Sequence, residues 1–518
     1  MTNMFLIIHR PAWAVLLPLI AAGLILFSGK RPNVRECWTL LGGAGLFLTV
    51  LSMIPVVLHQ GPILFSVITL LPGIHFAFKV DALGLIFALT SSCLWILVSL
   101  YSIGYMRALK EHAQTRFYFC FALALAGAIG IALSANLVTL FIFYEILTIS
   151  TYPLVAHEES SEAISAGHKY LAYLLTGGVF FLIAILMTYN LVGTTEFHPH
   201  GILKPAFDTA APIALQVMFF FFLVGFAKAA WMPLHAWLPT AMVAPTPVSA
   251  LLHAVAVVKA GVFGITRVVC HIYGIEMMQL LGLGLVLAAI AAFTILAANI
   301  YAIGQNSLKR MLAYSTINQL SFIILGVALL SPLSITGAIL HIPFHGFMKI
   351  TLFLCAGAIA VITGIKTIDG LAGIGRALPI TLGAFLIGAF GMCGAPPLAG
   401  FISKWHIAAG AVESGQIFFL GVILAGSLLD VVYFFPVLRT AFFMKIPQTE
   451  ILENDLEVKV GLYTRHKGSR ENEQPLYLLM ILPLAVTASI AVVFCFYPNL
   501  MNVYDLARMA VQELFGGM

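Results

Sequence analysis

The sequence predicts an all-α integral membrane protein with about fourteen transmembrane helices. Of its 518 residues, 61% are hydrophobic and only 9% are charged, with a mean hydropathy of +1.03, and this composition excludes a water-soluble protein. Apolar runs of about 20 residues, the length that a bilayer core about 30 Å thick requires, recur along the whole chain. Most of the lysines and arginines between these runs fall on one side of the predicted topology, as in membrane proteins generally.

The predicted spans follow in order when the apolar runs are divided at polar, proline and glycine positions. Their centres lie near residues 20, 46, 92, 125, 145, 178, 221, 258, 288, 318, 350, 393, 429 and 486. We expect the first run, Met1 to Gly29, to be a retained helix rather than a signal peptide. It has a single basic residue, Arg10, and no small-x-small site that closes a short apolar core.

Loop charges predict the orientation of these spans. The sparsely charged side holds only Arg10, Lys79, Lys204, Arg267 and Arg508. The side rich in lysine and arginine is therefore expected to be cytoplasmic, which leaves both termini on the other side.

Two segments outside the spans carry further expectations. The longest polar segment, Lys445 to Glu473, is interpreted as a solvated cytoplasmic loop between the last two helices; the alternative is a docking surface for a partner subunit. The tail, Asn499 to Met518, is a candidate for a short amphipathic helix that lies on the membrane.

Six charged residues fall inside predicted spans. A charge at the bilayer centre costs at least a few kcal/mol, so such residues face the interior of the bundle and usually mark an ion or proton path. The six are Glu145, Lys228, Lys259, Lys349, Lys404 and Asp430. Since lysines outnumber carboxylates, some lysines must be neutral or only transiently paired, and a desolvated lysine can hold or release a proton at neutral pH.

A structural salt bridge would explain any one of these residues, but six in separate helices favour a transport role. Asp430 is the weakest of the six candidates, because its role could be limited to an ion pair with Arg439 or with a neighbouring subunit.

Histidines extend the predicted path. His341, His345 and Lys349 are spaced i, i+4 and i+8, so they lie along one face of one helix. Histidine titrates near neutral pH, which suits a proton relay, and His253 precedes Lys259 on another predicted helix. Haem ligation is the competing use of membrane histidines, and we disfavour it because His341 and His345 point the same way.

Proline and glycine predict that two helices break beside lysines. Lys228 is followed by Pro233 and Pro239, and Lys404 follows the segment Gly394 to Gly400. Interrupted helices are tolerated inside a membrane where the freed backbone is buried in protein or lines a cavity. In transporters they lie at the ion site, at corresponding positions of two repeats.

The seven cysteines occur singly, without a C-x-x-C pair. They offer no disulfide framework and no iron–sulfur or zinc ligand set. We therefore expect no cofactor and no metal site in this chain, and the net charge of +5 requires no nucleic-acid partner because loop bias explains it.

Five motifs together carry a resemblance to a known family. They are Phe143-Tyr144-Glu145, the segment Phe226 to Pro239, the segment Ala244 to His253, the segment Leu308 to Thr316, and the segment His341 to Lys349. The chain resembles, over nearly its whole length, the antiporter-like subunits of respiratory complex I and their relatives in Mrp-type sodium/proton antiporters and membrane-bound hydrogenases.

The resemblance implies fourteen helices with two inverted five-helix repeats around a hydrophilic axis. The implied divisions are helices 1 to 3 in residues 1–110, a first repeat in 111–273, a second repeat in 274–444, a cytoplasmic loop in 445–474, and the last helix with a short tail in 475–518.

The resemblance also implies a role for each buried charge. Glu145 would pair with Lys228, and this pair would modulate proton release. The next link would be His253 with Lys259, the central link His341, His345 and Lys349, and the terminal site Lys404. The segment around Asp430 looks closer to the Mrp and hydrogenase branches.

The sequence thus predicts a proton-translocating or cation/proton-antiporting subunit of a multisubunit respiratory or hydrogenase-type complex in the cell inner membrane. Its expected partners are other membrane subunits and a hydrophilic redox arm. The first alternative is a subunit of an Mrp-type sodium/proton antiporter without a redox partner. A quinone- or haem-binding oxidoreductase is disfavoured for lack of ligands, and a structural anchor would leave the buried charges unexplained.

Overall fold

A computed structural model describes residues 7–207, 210–444 and 474–516. Among these residues, twelve helices are long and apolar enough to cross a membrane. Two shorter apolar helices, Pro212–Gly225 and Pro379–Cys393, lead into breaks at the positions that proline and glycine predicted. The expected class, a helical membrane protein with discontinuous helices, is confirmed.

The helices follow one another in the order of the predicted spans. They are α1 (Arg10–Phe27), α2 (Pro32–Gln60), α3 (Ala82–Ala108), α4 (Gln114–Ala132), α5 (Leu137–Val155), α6 (Ser161–Val192), α7 (Pro212–Gly225), α8 (Thr246–Leu280), α9 (Leu283–Ile303), α10 (Leu308–Ala328), α11 (Pro332–Thr363), α12 (Pro379–Cys393), α13 (Ala399–Glu413), α14 (Ile417–Phe443), α15 (Gln474–Phe496) and α16 (Val503–Phe515). Short helical turns cover Lys204–Phe207, Ala227–Ala229, Trp237–Thr240, Ala241–Val243, Asp369–Leu371, Ile374–Ala377 and Leu500–Asn502. The predicted centre near residue 393 falls on the last residue of α12, beside a break.

A β-hairpin between α2 and α3 was not predicted. Strands β1 (Ile63–Leu71) and β2 (Ile74–Val80) pair antiparallel. Their turn is Pro72-Gly73, in which Gly73 has a φ of +75°, a conformation that favours glycine. The N–H of Lys79 donates to the carbonyl of Leu133 over 2.8 Å, so the hairpin lies against the connection between α4 and α5.

The core of the bundle is formed by α8, α10 and α11. The most apolar stretch of α8 is entirely buried in protein, and those of α10 and α11 are nearly so, whereas α1, α2, α6 and α14 leave most of theirs exposed. α8 is not a regular helix, because it contains two wide π-helical turns, Leu251–Val255 and Val268–Tyr273. π-turns of this kind are frequent at functional sites.

Two expectations, about Arg267 and about the C-terminal tail, need revision. Arg267 is not a loop residue: it is fully buried within α8, where it forms a bidentate ion pair with Asp81 over 2.6 Å and 2.6 Å. The amphipathic tail helix exists as α16, but its apolar face packs against α3 and α11 of the protein. The predicted loop 445–473 lies outside the described residues.

Candidate ion-translocation site

Lys228 lies in the break that follows α7. The helix ends at Gly225, a single 3₁₀ turn spans Ala227–Ala229, and Ala230 adopts a left-handed conformation with φ of +54°. The buried Lys228 ammonium donates to the backbone carbonyl of Tyr144 and lies 3.2 Å from the centre of the Tyr144 ring. The Tyr144 hydroxyl in turn donates to the carbonyl of Gly225 over 3.0 Å, so one tyrosine of α5 holds both the broken helix and its lysine.

Glu145 is the neighbour of this contact but does not take part in it. Both of its carboxylate oxygens are buried without a hydrogen-bond partner, and they pack against Gly178 of α6. Among the described residues no direct ion pair joins Glu145 to Lys228. The pair implied by the resemblance is therefore not formed here, because the lysine is turned to the carbonyl and ring of Tyr144.

α8 contributes His253 and Lys259, which are both fully buried. His253 lies in the first wide turn, and its Nδ1 is 2.9 Å from the Thr316 hydroxyl of α10. Lys259 follows in the regular part of α8, and its Nζ is 2.7 Å from Nδ1 of His345. The structure therefore places Lys259 directly against the predicted histidine stripe.

The stripe itself lies on α11. The rings of His341 and His345 are 5.9 Å apart, centre to centre, and Nδ1 of His341 is 2.8 Å from the Ser403 hydroxyl of α13. Lys349, one turn beyond His345, donates to the Ser315 hydroxyl of α10 over 2.7 Å. All three side chains are buried.

Lys404 lies just after the second break, in which α12 ends at Cys393 and α13 begins at Ala399. Its ammonium forms an ion pair with Asp430 of α14 over 2.7 Å and donates to the carbonyl of Met392 over 2.7 Å. Asp430 is fully buried. The alternative that Asp430 pairs with Arg439 is wrong, because its partner is Lys404.

Sequence reasoning missed the polar side chains that surround Asp430. Its carboxylate accepts hydrogen bonds from Asn318 over 2.5 Å, from Gln319 over 2.8 Å and from Tyr433 over 2.9 Å. The Tyr433 hydroxyl also lies 2.8 Å from Ser315, the residue that accepts from Lys349. The run Ser315-Thr316-Ile317-Asn318-Gln319 inside a membrane span was the available signal.

These contacts divide most of the predicted residues into three groups, whereas His253 contacts Thr316 and His341 contacts Ser403. Lys228 lies with Tyr144, beside Glu145; Lys259 contacts His345; and an unbroken series of side-chain contacts joins Lys349 to Lys404. That series runs through Ser315, Tyr433 and Asp430. Within the described residues no direct hydrogen bond connects Lys228 to Lys259 or His345 to Lys349, although the backbone of the Lys228 turn packs against Gly261 of α8.

A polar cavity of about 300 Å³ lies beside the first turns of α8 and α10. Two glutamates, Glu158 and Glu162, and three basic residues line it, and Thr246 at the start of α8 forms part of its wall. The basic residues are Lys309, Arg310 and Lys366. His253 lies two turns further along α8 than Thr246.

A many-spanning helical bundle with a buried series of lysines, histidines and carboxylates is typical of an ion-conducting membrane protein. Residues 134–430 match the family described as NADH:quinone oxidoreductase/Mrp antiporter, TM. Residues 72–118 match a second family, the N-terminus of chain 5 of NADH-ubiquinone oxidoreductase (complex I). Because the first match covers more than half of the sequence, the chain belongs to the family of antiporter-like membrane subunits shared by NADH:quinone oxidoreductases and Mrp antiporters.

Two relatives show both branches of this family. The chain is 34% identical over 354 residues to the N subunit of NADH-quinone oxidoreductase from Desulforudis audaxviator, a match that covers 67% of this chain and 69% of the relative. It is 30% identical over 529 residues to the A subunit of the Na⁺/H⁺ antiporter from Alkalihalophilus pseudofirmus. That match covers 97% of this chain but only 63% of the longer relative.

Two solved structures share the fold. The Mrp complex of Dietzia sp. DQ12-45-1b contains a chain that superposes with a TM-score of 0.84 at 22% identity, with 98% of both chains covered. A chain of the membrane-bound sulfane sulfur reductase, an archaeal respiratory membrane complex, superposes with a TM-score of 0.80 at 24% identity, with 97% of both covered.

Proposed function

We propose that this chain translocates protons, as one membrane subunit of a multisubunit complex in the cell inner membrane. The relay would pass through side chains on α5, the α7 break, α8, α11, α13 and α14, all of them buried except the half-buried Glu145, whose two carboxylate oxygens are enclosed. These are Glu145, Lys228, His253, Lys259, His341, His345, Lys349, Lys404 and Asp430.

The series of contacts from Lys349 to Lys404 is the observation that carries the proposal. If the Lys349 ammonium gives a proton to the Ser315 hydroxyl, the Ser315 proton can move to Tyr433 and the Tyr433 proton to Asp430. The result is a neutral Lys349 and a protonated Asp430. Asp430 then no longer neutralises Lys404, so the ammonium of Lys404 is left buried without a counter-charge and is driven to release its proton.

Unpartnered polar atoms support the same relay on the other side of Lys349. Nε2 of His253, His341 and His345 and both oxygens of Glu145 are buried without a hydrogen-bond partner in the described structure. Such atoms are rare in folded proteins unless water or a transferable proton satisfies them. In each of the three histidines Nδ1 makes the contact described above, so a proton would enter or leave the ring at Nε2.

We further propose that the two broken helices mark corresponding positions of two inverted repeats, in residues 111–273 and 274–444. Each break holds or precedes a buried lysine: Lys228 lies within the first break, and Lys404 follows the second. The orientation follows from loop charge: the polar cavity beside Lys309 and Lys366 faces the cytoplasm and gives protons access to His253. Both chain termini then lie on the opposite side.

A second candidate is a sodium/proton antiporter component without a redox partner. The match to the A subunit of the Na⁺/H⁺ antiporter over 97% of this chain favours it. The same buried path serves either complex, so the partners distinguish them. Purification from native membranes in mild detergent, followed by mass spectrometry, should recover hydrophilic redox subunits in the first case and only membrane subunits in the second.

The relay is tested by the variant Lys404→Ala in the intact complex, with proton uptake followed by a pH-sensitive dye in inverted membrane vesicles. We expect uptake to be abolished, because Asp430 loses the proton-carrying partner it controls. Lys204→Ala is the matched control: Lys204 forms an exposed ion pair with Glu276, so uptake should be unchanged. Normal uptake in Lys404→Ala, with the variant present at wild-type amount, would refute the relay.

A further inference from the structure

A cluster of ligand-type side chains lies at one end of the bundle, away from the buried path. Glu111 and His112 lie in the connection between α3 and α4, and His157 lies in the connection between α5 and α6. One oxygen or nitrogen atom from each lies within 4.8 Å of the others. The two imidazole rings stack with centres 4.9 Å apart, and one oxygen of Glu111 is 3.9 Å from Nδ1 of His112 and 3.9 Å from Nε2 of His157.

His157 points into this cluster without a hydrogen bond. Its side chain is fully buried, and neither ring nitrogen has a hydrogen-bond partner in the part of the chain that is described. Its ring packs at a steep angle against Phe117, at a centre distance of 5.9 Å, and its Nε2 faces the Glu111 carboxylate. A buried imidazole with both nitrogens unsatisfied is unfavourable unless something binds it.

We propose that Glu111, His112 and His157 bind a divalent transition-metal ion of the zinc class. Two imidazoles and one carboxylate are a ligand set that Zn²⁺ takes readily, whereas Mg²⁺ and Ca²⁺ prefer oxygen ligands throughout. Glu159 is 3.9 Å from the other nitrogen of His112, Nε2, and is paired with Arg116, so we expect water to complete the coordination.

The position of the cluster suggests what the metal would do. His157 follows the last residue of α5, Val155, by two positions, and α5 carries Tyr144 and Glu145. A metal that joins the α3–α4 connection to the α5–α6 connection would fix this end of α5 and slow any movement of the Tyr144–Lys228 contact. This consequence rests on the proposed relay, whereas metal binding itself does not.

The test is a Co²⁺ titration of the purified complex, followed by competition with Zn²⁺. We expect the visible absorption of a low-coordinate cobalt site with imidazole ligands, displaced by a single equivalent of Zn²⁺ and lost on chelation. His157→Gln should weaken Zn²⁺ binding by at least the 10–100-fold that loss of an outer-shell partner causes. His168→Gln, an exposed histidine on α6 that stacks on Tyr152, is the control and should bind normally.

His112→Gln provides a second test, because His112 is exposed and its replacement leaves the core intact. Equal Zn²⁺ affinity in the wild type, His112→Gln and His157→Gln would overturn the site. Zn²⁺ should also slow proton uptake in the wild type and not in His112→Gln. Binding without such inhibition would leave the metal site standing and refute only its link to transport, and Lys404→Ala should still bind Zn²⁺ if the two proposals are independent.

Discussion

At the residue scale, two tyrosines make contacts that hold or connect the buried lysines. Tyr144 holds Lys228 through its backbone carbonyl and its ring, whereas Tyr433 connects Asp430 to Ser315 through its hydroxyl. A lysine on a carbonyl and an aromatic face is stabilised as a cation, but neither group can accept its proton. A hydroxyl can accept and donate, so in the proposed relay Tyr433 would transfer a proton, whereas Tyr144 would hold Lys228 in its charged form.

Removal of the Tyr433 hydroxyl tests this distinction. In Tyr433→Phe the ring still fills its place between α10 and α14, while the contacts from Lys349 to Asp430 are interrupted. We expect proton uptake by vesicles to fall about 100-fold or more, as for a lost proton-transfer group, at unchanged protein amount. Tyr273→Phe is the control, since the buried Tyr273 hydroxyl donates only to the carbonyl of Leu215. Equal uptake in the two variants would show that the hydroxyl carries no proton.

The charged residues of this path could be found from the sequence, whereas its neutral residues could not. Lys349 and Lys404 stand out because a charge in an apolar run is expensive. Ser315 and Tyr433 are ordinary residues in a membrane helix, and only the packing of α10 against α14 gives them a role. The contact of Lys228 with Tyr144 rather than Glu145 depends on side-chain rotamers, which no sequence pattern specifies.

At the scale of single elements, close packing between α8 and the α7 break positions Lys228. Gly261 of α8 faces the backbone of the Lys228 turn, and a Cβ there would lie 2.6 Å from the Lys228 carbonyl carbon. Glycine is required because the two backbones touch. The lysine is thus held by a backbone contact on one side and by Tyr144 on the other.

Gly261→Ala should therefore force the two elements apart. Inserting a methyl group into a packed core costs about 1–3 kcal/mol, so we expect a lower thermal midpoint in detergent together with reduced proton uptake. Gly421→Ala on α14 is the matched control, because a Cβ there has no neighbour within 4 Å. Its midpoint should stay the same or rise slightly. A Gly261→Ala variant as stable as Gly421→Ala would contradict this account.

Elements were predicted to different extents for a physical reason. Long apolar spans such as α3 and α11 need only hydropathy, and the two helix breaks followed from their proline and glycine residues. The hairpin of β1 and β2 was missed because each of its apolar runs is too short to cross a membrane. The wide turns of α8 were also missed, since their hydrogen-bond pattern is set by packing inside the core.

At the scale of the whole molecule, a buried ion pair joins the N-terminal helices to the core. Asp81 caps the N-terminus of α3 by accepting from the N–H of Gly84 over 2.9 Å, and its carboxylate also binds Arg267 of α8 with both oxygens. Hydropathy could not show this contact, because Arg267 looks like a loop residue in the sequence. It connects α3 to the helix that carries His253 and Lys259.

Arg267→Met should destabilise the whole bundle, because Asp81 would remain buried as an unpaired charge. Loss of one partner of a buried pair costs about 3–5 kcal/mol, measured here as a fall in the midpoint of thermal unfolding. Lys204→Met breaks an exposed pair, with side chains 71% and 59% exposed, and should cost less than about 1 kcal/mol. Adding Asp81→Asn to Arg267→Met should restore part of the loss; a double variant less stable than Arg267→Met would argue against a charge effect.

The contacts from Lys259 to Lys404 run mainly from helix to helix rather than along one helix. Two steps follow a helix axis: His345 to Lys349 on α11, about 6 Å, and Tyr433 to Asp430 on α14, about 4.5 Å. Each is a fifth or less of a hydrocarbon core of about 30 Å. A membrane potential acts on a charge only as it moves along the membrane normal, by about 2.3 kcal/mol per 100 mV for a full crossing. In the proposed relay, sideways transfer through the bundle would therefore be nearly electrically silent, and voltage dependence should arise mainly at the two ends of the path.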